Sequence, residues 1–190
     1  MLPVEEQMAA EIRTLQRKVA RLETLEHGCL VLVEDKLLTS AVSSVSFDSI
    51  PQDFKHLWLW LRTEADEGGG LTLGMTFNND AGAVYDWERM ENSTLISGAS
   101  DSKIALGGTS GSEWVAHEVN IIDYANADPA NKRVLWKGAR TRAAPPCVEC
   151  TIIQGGATWE EVGAISSIQI ASTGNAYEAG ESRYTLYALC

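Results

Sequence analysis

Basic residues are scarce in this sequence: 15 lysines and arginines stand against 26 aspartates and glutamates, a formal net charge of -11 over 190 residues. Binding to a nucleic-acid backbone is driven by lysines and arginines that displace its counterions. No basic cluster occurs from Leu30 onward, so neither DNA nor RNA is expected as a partner. Long apolar runs are also missing. No stretch approaches the roughly 20 residues of a membrane-spanning helix, and Met1 to Ala10 carries no base ahead of an apolar run, so neither membrane insertion nor a secretion signal is expected. Cysteine is sparse as well. Cys29, Cys147, Cys150 and Cys190 are too few and too unevenly placed for a disulfide scaffold, which fits synthesis in a reducing cytoplasm.

Catalytic signatures are equally thin. No glycine-rich phosphate loop followed by lysine occurs, and no Gly-x-Ser-x-Gly elbow, which argues against nucleotide use and serine hydrolysis. His27, His56 and His117 stand apart, without the i, i+4 spacing that puts two metal ligands on one helix face. Cys147-Val148-Glu149-Cys150 lacks the second pair that a structural zinc site needs. Thr151-Ile152-Ile153 after it favours a strand, whereas a redox pair opens a helix. Asp86, Glu88, Glu160 and Glu161 could in principle supply the two carboxylates of a glycosidase, but nothing in the sequence selects a pair. The expectation is a non-enzymatic protein with no cofactor and no metal.

What is present falls into two parts. Met8, Ile12, Leu15, Val19 and Leu22 are spaced by four, three, four and three residues, the stripe of a coiled coil with Ile12 and Val19 at a and the others at d. Lys18 then falls at g and Glu23 at the following e, positions that pair across chains running parallel. A seam this short is marginal by itself and needs association for its stability. The competing reading is one amphipathic helix packed on its own domain. Against it stand the dense charge on the polar face and the abrupt stop at Gly28. β-Branched a residues with leucine at d lean toward a dimer. The run Lys18-Val19-Ala20-Arg21-Leu22-Glu23, however, resembles a trimer-favouring signature, so a homotrimer is expected, with a dimer as the alternative.

From Leu30 the period changes to that of strands. Leu71, Leu73, Met75 and Phe77 alternate with polar or small residues, and Leu57-Trp58-Leu59-Trp60-Leu61 reads as a central strand covered on both faces. Other strands are expected at Leu30–Leu38, Val42–Phe47, Trp114–Tyr124, Arg133–Lys137, Val148–Ile153, Ser166–Ile170 and Tyr184–Leu189, separated by Gly, Asn, Asp and Ser clusters. Glu88 to Ser112, rich in serine and glycine, reads as a long loop or an ill-defined hairpin. The expected fold is all-β: an antiparallel β-sandwich or jelly-roll head over 29–190, preceded by an attachment segment and α-helical coiled coil over 1–28.

Six tryptophans remain to be placed. Trp58 and Trp60 sit in an apolar run and are expected in the core. Trp87, Trp114, Trp136 and Trp159 have polar neighbours and are candidates for stacking on sugar rings, set against the alternative that each fills the core or a subunit interface.

A dispersed pattern over roughly Leu30 to Cys190 carries a resemblance. Leu38-Thr39-Ser40-Ala41, Ser44-Val45-Ser46-Phe47 and Ile50-Pro51-Gln52-Asp53-Phe54-Lys55-His56-Leu57, then Leu73 to Phe77 with Asn78-Asn79-Asp80, Tyr85 and the ending Arg183-Tyr184-Thr185-Leu186-Tyr187, resemble a domain of tailed-bacteriophage virion appendage proteins. The resemblance implies a β-sandwich head on a particle surface, often trimeric, contacting other virion proteins or the host surface. The expected location is the virion surface after synthesis in the host cytoplasm. Since only a short coil precedes the head, a short spike, tail or head fibre, or capsid decoration protein fits better than a long tail fibre. Host-surface polysaccharide is the expected external ligand, and a carbohydrate-binding module unrelated to a virus is the alternative.

The seam makes a direct prediction. Leu15→Asp combined with Val19→Asp places charge where assembly must remove water, so light scattering should report dissociated chains while near-ultraviolet circular dichroism of the head is unchanged. Intact oligomers in the double variant would refute the seam.

Overall fold

A computed structural model of the chain describes residues 30–64, 71–109, 113–127, 132–142, 150–174, 176–177 and 182–190. The coiled-coil seam, Met8, Ile12, Leu15, Lys18, Val19, Leu22 and Glu23, lies outside the described residues. The chain divides into two compact units, Met1–Val31 and Leu32–Cys190. Apart from Leu30 and Val31, the described residues all belong to the second unit.

Twelve strands are described: β1 (Leu30–Leu37), β2 (Ser44–Phe47), β3 (His56–Glu64), β4 (Leu71–Phe77), β5 (Tyr85–Glu91), β6 (Thr94–Asp101), β7 (Ile104–Thr109), β8 (Glu113–Ile122), β9 (Lys132–Arg142), β10 (Cys150–Trp159), β11 (Ile168–Gly174) and β12 (Arg183–Leu189). They form an eight-stranded antiparallel sheet in the order β1-β12-β3-β8-β9-β10-β5-β6 and a four-stranded one in the order β2-β11-β4-β7. The fold is all-β and sandwich-like. Alternate residues of each strand point to one shared core: Leu57, Leu59 and Leu61 from β3, Val115, Val119 and Ile121 from β8, Leu71, Leu73, Met75 and Phe77 from β4, and Ile168 and Ile170 from β11.

The two sheets are linked by polar contacts at one irregularity. Between Leu73 and Gly74 the β4–β7 register shifts, pairing Leu73 with Gly107 and Gly74 with Ala105. Leu106 is therefore left without a ladder partner, as in a β-bulge, and its carbonyl turns to the large sheet. There it meets His117 Nε2 at 3.0 Å and accepts from Trp136 Nε1 at 3.1 Å. Since a carbonyl only accepts, Nε2 must carry the proton, which leaves Nδ1 as a bare acceptor; among the described residues it has no partner. Burial is the main cause that pushes the imidazole pKa from 6.5 down to about 4, and the nearby Arg89 charge adds to it.

Several sequence expectations are corrected. β3 is buried on one face only: Trp60 is 48% exposed and not in the core. The stretch Glu88 to Ser112, expected as a long loop or an ill-defined hairpin, holds the β5–β6 hairpin and β7 among its described residues. Asn92 and Ser93 both take positive φ, at 46° and 67°, the backbone of a tight hairpin turn normally marked by glycine. Two strands extend well past their expected ends, β9 to Arg142 and β10 to Trp159. Cys150 is free and exposed, while Cys190 is disulfide-bonded.

The His117 contact implies acid sensitivity. Because its folded pKa lies below the unfolded value, the unfolded chain takes the proton first. The stabilising contribution is complete above about 6.5 and is lost as pH falls from there to about 4. In urea melts at pH 7 and pH 4, the natural protein should lose about 3 kcal/mol more than His117→Gln, whose amide can still donate to Leu106 without titrating. Equal losses would remove His117 as the responsible group.

Candidate functional site

The alternation that fills the core also decides what the large sheet shows to solvent. On β3 the inward set is Leu57, Leu59, Leu61 and Thr63; the opposite parity presents His56, Trp58, Trp60 and Arg62. Register extends this face across the sheet. Trp58 is flanked by Tyr187 of β12 and Asn120 of β8, and Trp60 by Thr185 and Glu118. Trp58 meets Trp60 edge-on with centroids 5.8 Å apart, and Tyr187 lies at the same 5.8 Å from Trp58 on its other side. One strand over, the Arg62 guanidinium sits 4.2 Å above the Trp114 ring.

Ion pairs border this aromatic strip on both sides. Toward β1, Arg183 donates to Asp35 through Nε at 2.9 Å and Nη2 at 2.6 Å, and the Thr185 hydroxyl donates to the same carboxylate at 2.7 Å. These bonds, that of Arg183 first, hold the Asp35 pKa at about 2 instead of 3.8. Toward β9, Lys137 Nζ lies 2.9 Å from Glu118, and its hydrogen bond is the leading cause that lowers the Glu118 pKa.

Further along the same face, two adjoining open depressions of about 500 and 430 Å³ follow β10. Their common floor is Gly156, with Leu135 of β9 and Glu88 of β5 on either side. Arg133 and Lys137 stand on the β9 bank and Asp86 and Glu88 on the β5 bank. Asp86 accepts the Ser100 N–H at 2.7 Å. Exposed Met90, Leu95 and Ile152 adjoin this trough, an apolar complement to its charged banks.

Of the four tryptophans picked out for sugar contact, three are core residues. Trp87, Trp136 and Trp159 are 9%, 3% and 2% exposed, and their indole N–H groups donate to Asp101, the Leu106 carbonyl and Asp80. Their ring faces are used in packing, as with Trp159 against Phe77 at 5.6 Å. Trp114 alone of the four lies half-buried on the outer face, beneath Arg62. The residues that form the strip, Trp58, Trp60 and Tyr187, were not singled out. A signal for them exists in the sequence: Trp58 and Trp60 share parity with His56 and Arg62, which marks their side of the strand as wet. Among the described residues no group of three or more His, Cys, Asp and Glu could hold a metal, and no helix is long and apolar enough to cross a membrane.

Consecutive glycines in β10 provide a test of the two faces. A Cβ on Gly155 would lie 2.3 Å from the Trp136 ring and 2.6 Å from the Glu88 carbonyl, whereas one on Gly156 meets nothing closer than 3.6 Å. Gly155→Ala should therefore cost about 2 kcal/mol or more, and Gly156→Ala less than about 1 kcal/mol, read from urea midpoints. Equal costs would contradict the inward placement of Trp136. In comparisons with family models, curated proteins and solved structures, no match to this chain is found.

Proposed function

We propose that the chain is a non-enzymatic structural protein: a homotrimeric virion appendage in which an N-terminal coil gathers three β-heads. It takes the form of a head or tail fibre, spike or capsid decoration. Residues 1–7 dock on other virion proteins and the heads face outward. The observation that carries the reading is the outer face of the eight-stranded sheet, where aromatic, charged and apolar side chains stand in solvent on a rigid hydrogen-bonded frame. A wide, shallow, chemically mixed face suits adhesion to an extended surface.

Three further points support the reading. The heptad at Met8 to Glu23 supplies a gathering device. Three weak sites held at fixed spacing bind a repetitive polymer far more tightly than one. The Cys190 disulfide suits a final location outside a reducing cytoplasm. The alternative, a carbohydrate-binding module not tied to a virion, shares the face but does not need the coil.

Sedimentation velocity separates the two. The full chain should run at three times the chain mass, and a chain beginning at Leu30 as a smaller species with the head's circular dichroism intact. A full-length monomer at tens of micromolar would remove the appendage reading.

A further inference from the structure

We infer that the strip centred on Trp60 is a binding site for neutral hexopyranose units, with the indole face as platform and the two flanking ion pairs as hydrogen-bonding arms. The inference names the ligand class for the outer face on which the proposed function rests. It shares no platform residue with the sequence expectation of Trp87, Trp114, Trp136 and Trp159.

A pyranose ring offers two kinds of surface: a flat patch of C–H groups and a rim of hydroxyls that each donate and accept. Trp60 answers the first. It is the most exposed aromatic ring of the sheet face at 48%, in a strand whose other side is fully packed, so its position is fixed before any ligand arrives. It makes an edge contact with Trp58, which in turn touches Tyr187.

The flanking pairs answer the second. Strands lie about 4.8 Å apart, so Asp35 with Arg183 and Glu118 with Lys137 stand within one or two strand spacings of Trp60, one pair on each side. Each pair presents carboxylate oxygens and N–H groups together, the combination that a vicinal diol can bridge by accepting from one partner and donating to the other.

Charge decides between neutral and acidic sugars. The chain carries -11 overall, but both carboxylates beside Trp60 are neutralised by direct contact with a base. Arg62 is turned over Trp114. That stacking leaves its single positive charge in place, small against the net charge of -11 with which an acidic protein repels an anionic polymer. An uncharged hexose chain is therefore the fitting occupant.

The experiment titrates the full chain with maltoheptaose, cellohexaose, mannohexaose and an oligogalacturonate up to about 10 mM, following indole N–H signals by NMR, with sedimentation run on the same samples. A neutral probe should shift the Trp60 signal saturably. Trp60→Ala should weaken that binding about tenfold or more, and Trp60→Phe by about threefold or less, both with unchanged melting temperature because the ring is exposed. No saturable shift with any neutral probe, binding unaltered in Trp60→Ala, or binding of the oligogalacturonate alone would overturn the inference. A trimer that ignores neutral sugars sinks the ligand and spares the appendage. A monomer that binds them does the reverse.

Discussion

The carbonyl of Leu106 imposes the constraint on which the packing of this head turns. A bulge in β7 releases that oxygen from its own sheet, and in a dry interior an unpaired carbonyl costs about 1–3 kcal/mol. His117 and Trp136 satisfy it from adjacent strands of the opposite sheet. Their side chains in turn dictate what surrounds them. A Cβ at Gly138 would fall 2.6 Å from the His117 ring, one at Gly155 2.3 Å from Trp136, and Gly107 itself bends at φ 113° beneath Ile153. Gly138 and Gly155 thus make room for the two rings of one hydrogen-bonded contact. Burial, and not this hydrogen bond, keeps the imidazole neutral.

The large sheet divides its aromatic residues between two tasks. Trp87, Trp136 and Trp159 are inward, each with its N–H bonded, so they add area to the core without an unsatisfied polar group. Trp58, Trp60 and Tyr187 are outward, where they pack on one another and not on the second sheet. Acidic side chains are divided likewise. Asp80 and Asp101 serve buried indoles, while Asp35 and Glu118 face solvent with a base in contact. The face this leaves carries aromatic and ion-paired side chains around Trp60 and is trough-like along β10.

Much of the fold was legible because most strands carry apolar residues at alternate positions with glycine or asparagine at their ends. β4 is the plainest instance, matching its expected span at Leu71–Phe77. The turn after it was equally readable: Asn78 and Asn79 take positive φ at 52° and 56°, and the Asp80 N–H closes on the Phe77 carbonyl at 2.8 Å. The β5–β6 hairpin was not, because its Asn92-Ser93 turn lacks glycine and β6 alternates between half-buried and exposed residues with no apolar row. The strip was missed for a different reason. In Leu57-Trp58-Leu59-Trp60-Leu61 every residue is apolar, so hydrophobicity alone does not tell the wet side from the dry one.

By itself the sequence determined the all-β character of the described residues, many short antiparallel strands, since period-two alternation is a local property of the backbone. It likewise determined the acidic character, a net charge of -11. Only the tertiary structure decided which tryptophans are buried and which are displayed. That choice depends on which side of each strand meets the second sheet and which register brings Asp35, Arg183, Glu118 and Lys137 alongside Trp60. Those are relations between residues more than a hundred positions apart in the case of Asp35 and Arg183, and no local pattern carries them.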